Sequence, residues 1–344
     1  NDDLEALGGE YNAYTDFSQT VYSISCLEEE LKSAIEILSD MLICSKFPEE
    51  EIEKERGVIL AEIRSSKDSV EDFSFKKINE VAFKNSSLRY DVAGLDENVK
   101  SFTKKELYEY YKKYYIPNNS LITMVSSLSH EEAFEEISKH FSKWETKERI
   151  ELVVKDEKNR NIKKVTTKEN IELCTIIYLF TFYDLDKNYE LPLRILNHRL
   201  GESANSLLFR EVRENRGLAY DIYSHLDITE NVRTLYVYTA VDEEDIDDAA
   251  NAIEEIFKDI KFRNIIIGEN DLNVMKKVHK TAVISTLEDS VELCSYILSQ
   301  SLEGEDIFEF LKDMDRLNTI TADEIYEVAN KVLNDPTIHI LKSS

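Results

Sequence analysis

TKKELYEYYKK, residues 103–113, returns 218 positions later as TADEIYEVANK, residues 321–331. Thr, Glu, Leu or Ile, Tyr, Glu and Lys recur at the same six places. Each copy opens with Thr followed three residues later by Glu (Thr103 and Glu106, Thr321 and Glu324), the signature of a capped helix start. Each then runs through a proline into a short strand, LITMV or IHIL. A second pair agrees at nearly the same offset: YSISCLEEELKSAIEIL (22–38) parallels VYTAVDEEDIDDAANAI (237–253). One such match can arise by chance. Two in the same order, with similar spacing, imply duplicated domains.

Outward from these copies, amphipathic helices alternate with short strands. Residues 10–26 show strand-like alternation. In 28–45, Leu31, Ala34, Ile35, Leu38, Met41 and Leu42 form one helical stripe. Further helices are expected over 48–66, 70–84, 104–114 and 130–143, with Pro117 just beyond the third. LITMVSS (121–127) reads as a short buried strand. Residues 149–169 are highly charged and lack a helical stripe, which suits a linker carrying one edge strand. The apolar run 171–182 and the segments 235–241 and 337–341 read as strands. Helices are expected over 188–201, 243–258, 269–285, 288–302, 304–314 and 322–333. The division that follows is a first domain over 1–150, a linker over 151–168 and a second domain over 169–344. Fewer residues precede the matching strand in the first half than in the second, so the front of the first domain is expected to lie outside this chain.

Length and composition agree with this organisation. A chain of 344 residues is too long for one ordinary core. Only 8 Gly and 4 Pro argue against a loop-rich β architecture. No apolar run is long enough to span a membrane. A net charge of −27 argues against nucleic acid as a partner and favours cationic ligands or peptides. Cys26, Cys44, Cys174 and Cys294 are scattered without a CxxC, so no disulfide framework or cysteine metal site is implied. A reducing, cytoplasmic location fits this usage, and no signal sequence is visible.

EKERGVILAEI (53–63) holds the residues with most chemical promise. Glu55 and Glu62 are seven positions apart, almost two helical turns, so they share one face with Val58 and Ile59 between them. An acid on an apolar stripe is costly to bury without a partner, and a metal ion is one such partner. A solvated face of a very acidic protein is the other reading, and spacing alone leaves both open.

Four stretches together resemble the M16 (pitrilysin/insulinase) zinc peptidases, close to the mitochondrial-processing-peptidase branch. LEALGGEYNAYT (4–15) is similar to the family's Gly-Gly-x-x-Asn-Ala-x-Thr strand, and EKERGVILAEI to its third-ligand helix. LNHRLGESANSLLFREVRENRGLAYDIYS (196–224) resembles its second-domain Arg…Tyr segment, and YYKKYYIPNNSLITMVSS (110–127) the end of its first-domain sheet. The resemblance implies an α+β fold of two homologous domains, each a mainly antiparallel sheet packed against helices, enclosing a peptide chamber. It implies a zinc-dependent endopeptidase acting on extended peptides, with Glu62 as a zinc ligand and Glu55 as an acid that orients the site. Asn12 and Ala13 would take up substrate by strand addition, Arg213 would fix the substrate backbone, and Tyr220 would stabilise the oxyanion. A homodimer is expected from the two-domain length.

The chain departs from the family in two places. Its six histidines, at 130, 140, 198, 225, 279 and 339, never form the HxxEH motif that supplies two zinc ligands and the general base. That motif precedes the Gly-Gly pair in the family, so it is expected upstream of Asn1, and the present polypeptide is expected to be inert without it. NSLLF (205–209) also stands where the family often has Ser-Arg-Leu-Phe. The alternative is a non-catalytic M16-like subunit or a peptide-binding partner, which retention of Glu62, Arg213 and Tyr220 argues against.

Overall fold

The computed structural model describes residues 2–150 and 154–344. The first three residues of the expected linker, 151–153, lie outside the described residues. The chain divides into two compact units that interleave in sequence. One takes residues 1–64, 92–153 and 286–307, and the other 65–91, 154–285 and 308–344. The sequence division into 1–150, 151–168 and 169–344 follows chain order and the repeat; packing partitions the chain differently.

The second unit is built on a five-stranded sheet. Its strands are β3 (Lys163–Lys168), β4 (Cys174–Thr181), β5 (Asp221–Ile228), β6 (Arg233–Val241) and β7 (Thr337–Ser343), in the order β3-β7-β4-β6-β5. Only β3 and β7 run parallel; the other pairs are antiparallel. β3 is the edge strand anticipated within the charged stretch. The central strand β4 is a near-continuous apolar run, with Thr175 as its one internal polar residue, because both its faces are covered. Cys174, Ile176, Tyr178 and Phe180 point one way, into a core shared with Ile195, Leu196, Ile253, Phe257, Ile325 and Val328. These come from the helices Glu190–Asn197, Ile246–Lys261 and Ala322–Val332. Ile177 and Leu179 point the other way, with Tyr236, Tyr238 and Ala240, against Ile78, Ala82 and Phe83.

That second cover is the helix Val70–Ala82, supplied by the first half of the sequence. Ser74 Oγ lies 2.7 Å from Thr175 Oγ1, Tyr236 donates to Asn79 Oδ1 at 2.8 Å, and Tyr223 donates to Glu71. In exchange, residues 286–307, with the helix Ser290–Leu302, belong to the first unit. There Cys294 Sγ sits 3.3 Å from Thr123 Oγ1. Each half of the sequence thus gives one helix to the other unit.

The first unit carries the hairpin of β1 (Glu10–Thr15) and β2 (Thr20–Ser25), with the helices Leu31–Ile43, Asp96–Ser101, Lys104–Tyr114 and His130–Phe141. Most of the helix Glu49–Asp68 also belongs to it. The repeat is visible in two local features. Thr103 with Glu106 and Thr321 with Glu324 both form complete capping boxes. β2 and β6 each pass through a 3₁₀ turn (Glu28–Glu30, Glu243–Asp245) directly into a helix.

Several sequence expectations need correction. Residues 121–127 form no strand, because no neighbouring strand pairs with them among the described residues and a lone extended segment has no ladder to hold it. The helix expected over 304–314 is Glu309–Thr319. β5 escaped notice because Asp221, Ser224, His225 and Asp227 dilute its apolar alternation. The four cysteines are free.

Candidate functional site

The Gly8–Gly9 pair sets the entry of β1. Gly8 has φ +61°, a region that side chains disfavour. At Gly9 a Cβ would stand 2.0 Å from the Ser25 carbonyl oxygen, so only glycine lets the chain pass this close to the end of β2. All six residues of β1 are exposed, and among the described residues the strand pairs with β2 alone. Asp16 N–H donates to Gln19 O at 2.9 Å and closes the hairpin. Antiparallel pairs alternate between bonded and non-bonded positions. Counting back from that bond, Asn12 pairs inward with Ser23, while Tyr11 and Ala13 turn their backbone groups to the open edge. Ala13 N–H is met there by Asn12 Oδ1 at 2.9 Å.

Glu55 and Glu62 lie on the helix Glu49–Asp68 as expected, but their face is not buried. Both are exposed, and so is Val58, at 49%. The inward face is one residue out of phase. Ile63 is the helix's buried residue, and Arg56, seven positions before it, donates to Phe102 O at 2.8 Å and to Val99 O. The Glu55–Glu62 row is therefore turned about 100° from the packed side. The helix thus presents the solvated face, the second of the two readings that spacing left open, with two carboxylates that no ion pair or hydrogen bond engages among the described residues.

Arg213 and Tyr220 bracket a turn in the second unit. Phe209–Asn215 is a π-helix, Gly217 has φ +66°, and Ala219 is buried. Tyr220 N–H then donates to Ala240 O at 2.8 Å and starts β5, leaving its side chain 72% exposed. Arg213 is exposed, with its guanidinium carbon 4.8 Å from the centre of the Phe209 ring. Arg216 is instead tied to Glu211 and Glu255, both at 2.9 Å. Asn215 and Arg216 hold the Glu211 carboxyl below the usual carboxylate range by hydrogen bonding.

Asn12, Ala13, Glu55 and Glu62 thus belong to the first unit, Arg213 and Tyr220 to the second, all at the surface. Sequence reasoning missed the two π-helices, His198–Glu202 and Phe209–Asn215, which flank NSLLF. Such helices are rare and cluster at functional sites. The crowded motif held one clue: Gly201 packs so tightly that a Cβ would come 2.6 Å from the Ser224 backbone nitrogen.

One carboxylate does not make a zinc centre, which takes three protein ligands. Among the described residues no group of three His, Cys, Asp or Glu could hold a metal ion. Glu62 has the free carboxylate a ligand needs, but these residues by themselves do not fit a complete centre.

The chain as a whole is similar to known proteins. Residues 1–96 match the family described as insulinase (peptidase family M16), and residues 101–273 the peptidase M16 inactive domain. An uncharacterised zinc protease of Bacillus subtilis is 28% identical over 287 residues, 83% of this chain and 69% of its own length. A probable mitochondrial-processing peptidase β subunit of Arabidopsis thaliana is 33% identical over 142 residues, 41% of this chain and 27% of that protein. In fold, a protease from Helicobacter pylori superposes with a TM-score of 0.90 at 20% identity, over 99% of this chain and 83% of its own. With the two family matches running in order along the chain and together covering most of it, this protein belongs to the M16 peptidase family.

Proposed function

We propose that this protein is a zinc-dependent endopeptidase that cleaves extended peptides. The observation that carries the reading is the open edge of β1, whose outward backbone groups at Tyr11 and Ala13 sit beside Asn12. An extended peptide would add there as a further strand, bound through its backbone and largely regardless of sequence. Ala13 N–H would exchange Asn12 Oδ1 for a substrate carbonyl, freeing the Asn12 amide for the chain near the scissile bond. Arg213 would donate to a substrate carbonyl, since none of its donors is spent on an acid. The Tyr220 hydroxyl would donate to the scissile carbonyl oxygen as negative charge develops on it. Glu62 would be a metal ligand and Glu55 would orient it. Zinc, when bound, supplies Lewis-acid chemistry. The names of the relatives support zinc proteolysis at the level of the family.

Cleavage of an internally quenched peptide by the protein expressed from its complete gene tests this. Activity should vanish with a chelator and return with zinc, and Tyr220→Phe should lower kcat by about 10²-fold or more. No cleavage with zinc supplied, together with undiminished peptide binding, would instead select the second reading, a non-catalytic peptide-binding subunit. One observation favours that reading: no three-ligand group exists among the described residues. A homodimer and a cytoplasmic location complete the proposal. No described helix is long and apolar enough to cross a membrane.

A further inference from the structure

We propose that Phe209 is a positioning residue that holds the Arg213 guanidinium at the angle needed to meet substrate. The inference rests on the role given to Arg213 above. Three arginines follow one another at 210, 213 and 216, and they have different surroundings. Arg216 spends its donors on Glu211 and Glu255. Arg213 has no acid partner among the described residues, and its Cζ stands 4.8 Å from the Phe209 ring centre. A guanidinium over an aromatic face is attracted by the ring quadrupole within about 6 Å. A ring restrains the cation without using its N–H groups, so all five donors stay available. A carboxylate in the same place would consume them.

The ring is itself fixed from below. Phe209 is half-buried and packs on the main core, between the buried Leu208 and Val212. Its N–H donates to Ser206 Oγ at 3.2 Å, and Ser206 is fully buried. The π-helix begins at Phe209 and carries Arg213 four residues on. The immobile part of the pair is therefore the ring, and the long, exposed arginine is the part it restrains.

Phe209→Leu keeps the apolar packing and removes the quadrupole, whereas Phe209→Trp keeps both. Two readouts separate a positioning role from a packing role. The first is the Arg213 side-chain Nε–Hε resonance, assigned by its loss in Arg213→Lys. Ring current should shift it upfield in the parent and Phe209→Trp proteins, and that shift should disappear in Phe209→Leu. The second is the Kd of a fluorescein-labelled unstructured peptide, measured by anisotropy. Phe209→Leu should weaken binding about 3-fold, with recovery in Phe209→Trp, as expected for an exposed cation–π contact. An Arg213 resonance that is identical in Phe209→Leu and the parent overturns the inference. So does an unchanged Kd in Phe209→Leu when Arg213→Ala weakens binding. If Arg213→Ala itself binds normally, the substrate role of Arg213 fails, and the resonance alone then decides whether Phe209 holds the side chain.

Discussion

His339 shows how a single residue can govern acid stability. It is fully buried on β7, its Nε2 is 2.9 Å from Thr166 Oγ1, and Nδ1 has no partner. Burial, helped by the charge of Lys77, lowers its pKa from 6.5 to about 4. The folded state thus binds this proton less readily than the unfolded chain. The resulting stability is full above pH 6.5 and is lost as pH falls toward 4. Roughly 3 kcal/mol is at stake, from the size of the shift. Urea midpoints measured between pH 7 and 4 should fall across that interval in the parent and fall less in His339→Leu; parallel slopes would remove the histidine from the explanation. Gly9 gives a second residue-scale expectation. Gly9→Ala would drive a Cβ to 2.0 Å from Ser25 O, so β1 must shift away from β2. Overpacking of this kind costs about 1–3 kcal/mol. Amide exchange at Asn12 and Tyr14, the residues that pair inward with Ser23 and Val21, should accelerate, and unchanged protection would show that the hairpin absorbs the methyl group. The glycine pair was legible in the sequence, but the reason for it, a carbonyl directly opposite, needed the second strand in place.

Among the elements, the helix Val70–Ala82 makes the clearest demand. Ile78 is fully buried between this helix and the face of β4 and β6 that carries Leu179 and Tyr236. Ile78→Ala should therefore cost about 2–5 kcal/mol and lower protection in β4 and β6, although both strands lie far along the chain from residue 78, beginning at Cys174 and Arg233. Loss of protection confined to the first unit would contradict the assignment of this helix. The helix itself was legible from its 3.6-residue stripe. Its destination was not, because periodicity says that a face is buried and is silent about which sheet covers it. The same limit left Glu55 and Glu62 open between a metal site and a solvated face. A seven-residue spacing puts them on one face, but the packed face is the one carrying Arg56 and Ile63, and the charged Arg56 masked that stripe. Capping boxes were read correctly because they are local: the Thr and Glu at 103 and 106, and again at 321 and 324, need only each other.

For the whole molecule, duplication was the strongest signal in the sequence, and it holds down to the 3₁₀ turn that precedes each matching helix. The exchange of helices between halves was invisible, since it leaves no mark on either copy. The proposed site was legible as residue types and not as an assembled centre: Asn12, Glu62, Arg213 and Tyr220 are surface groups that no burial pattern sets apart. The expected homodimer predicts a sedimentation mass of twice the chain, and a monomer at micromolar concentration would exclude it. Zinc content of the protein expressed from its complete gene is the most direct test of the central proposal. About one zinc per chain, lost in Glu62→Gln while the circular dichroism spectrum stays the same, is the predicted result. A protein that takes up no zinc, or that keeps it undiminished in Glu62→Gln, would contradict the assignment of Glu62 as a ligand.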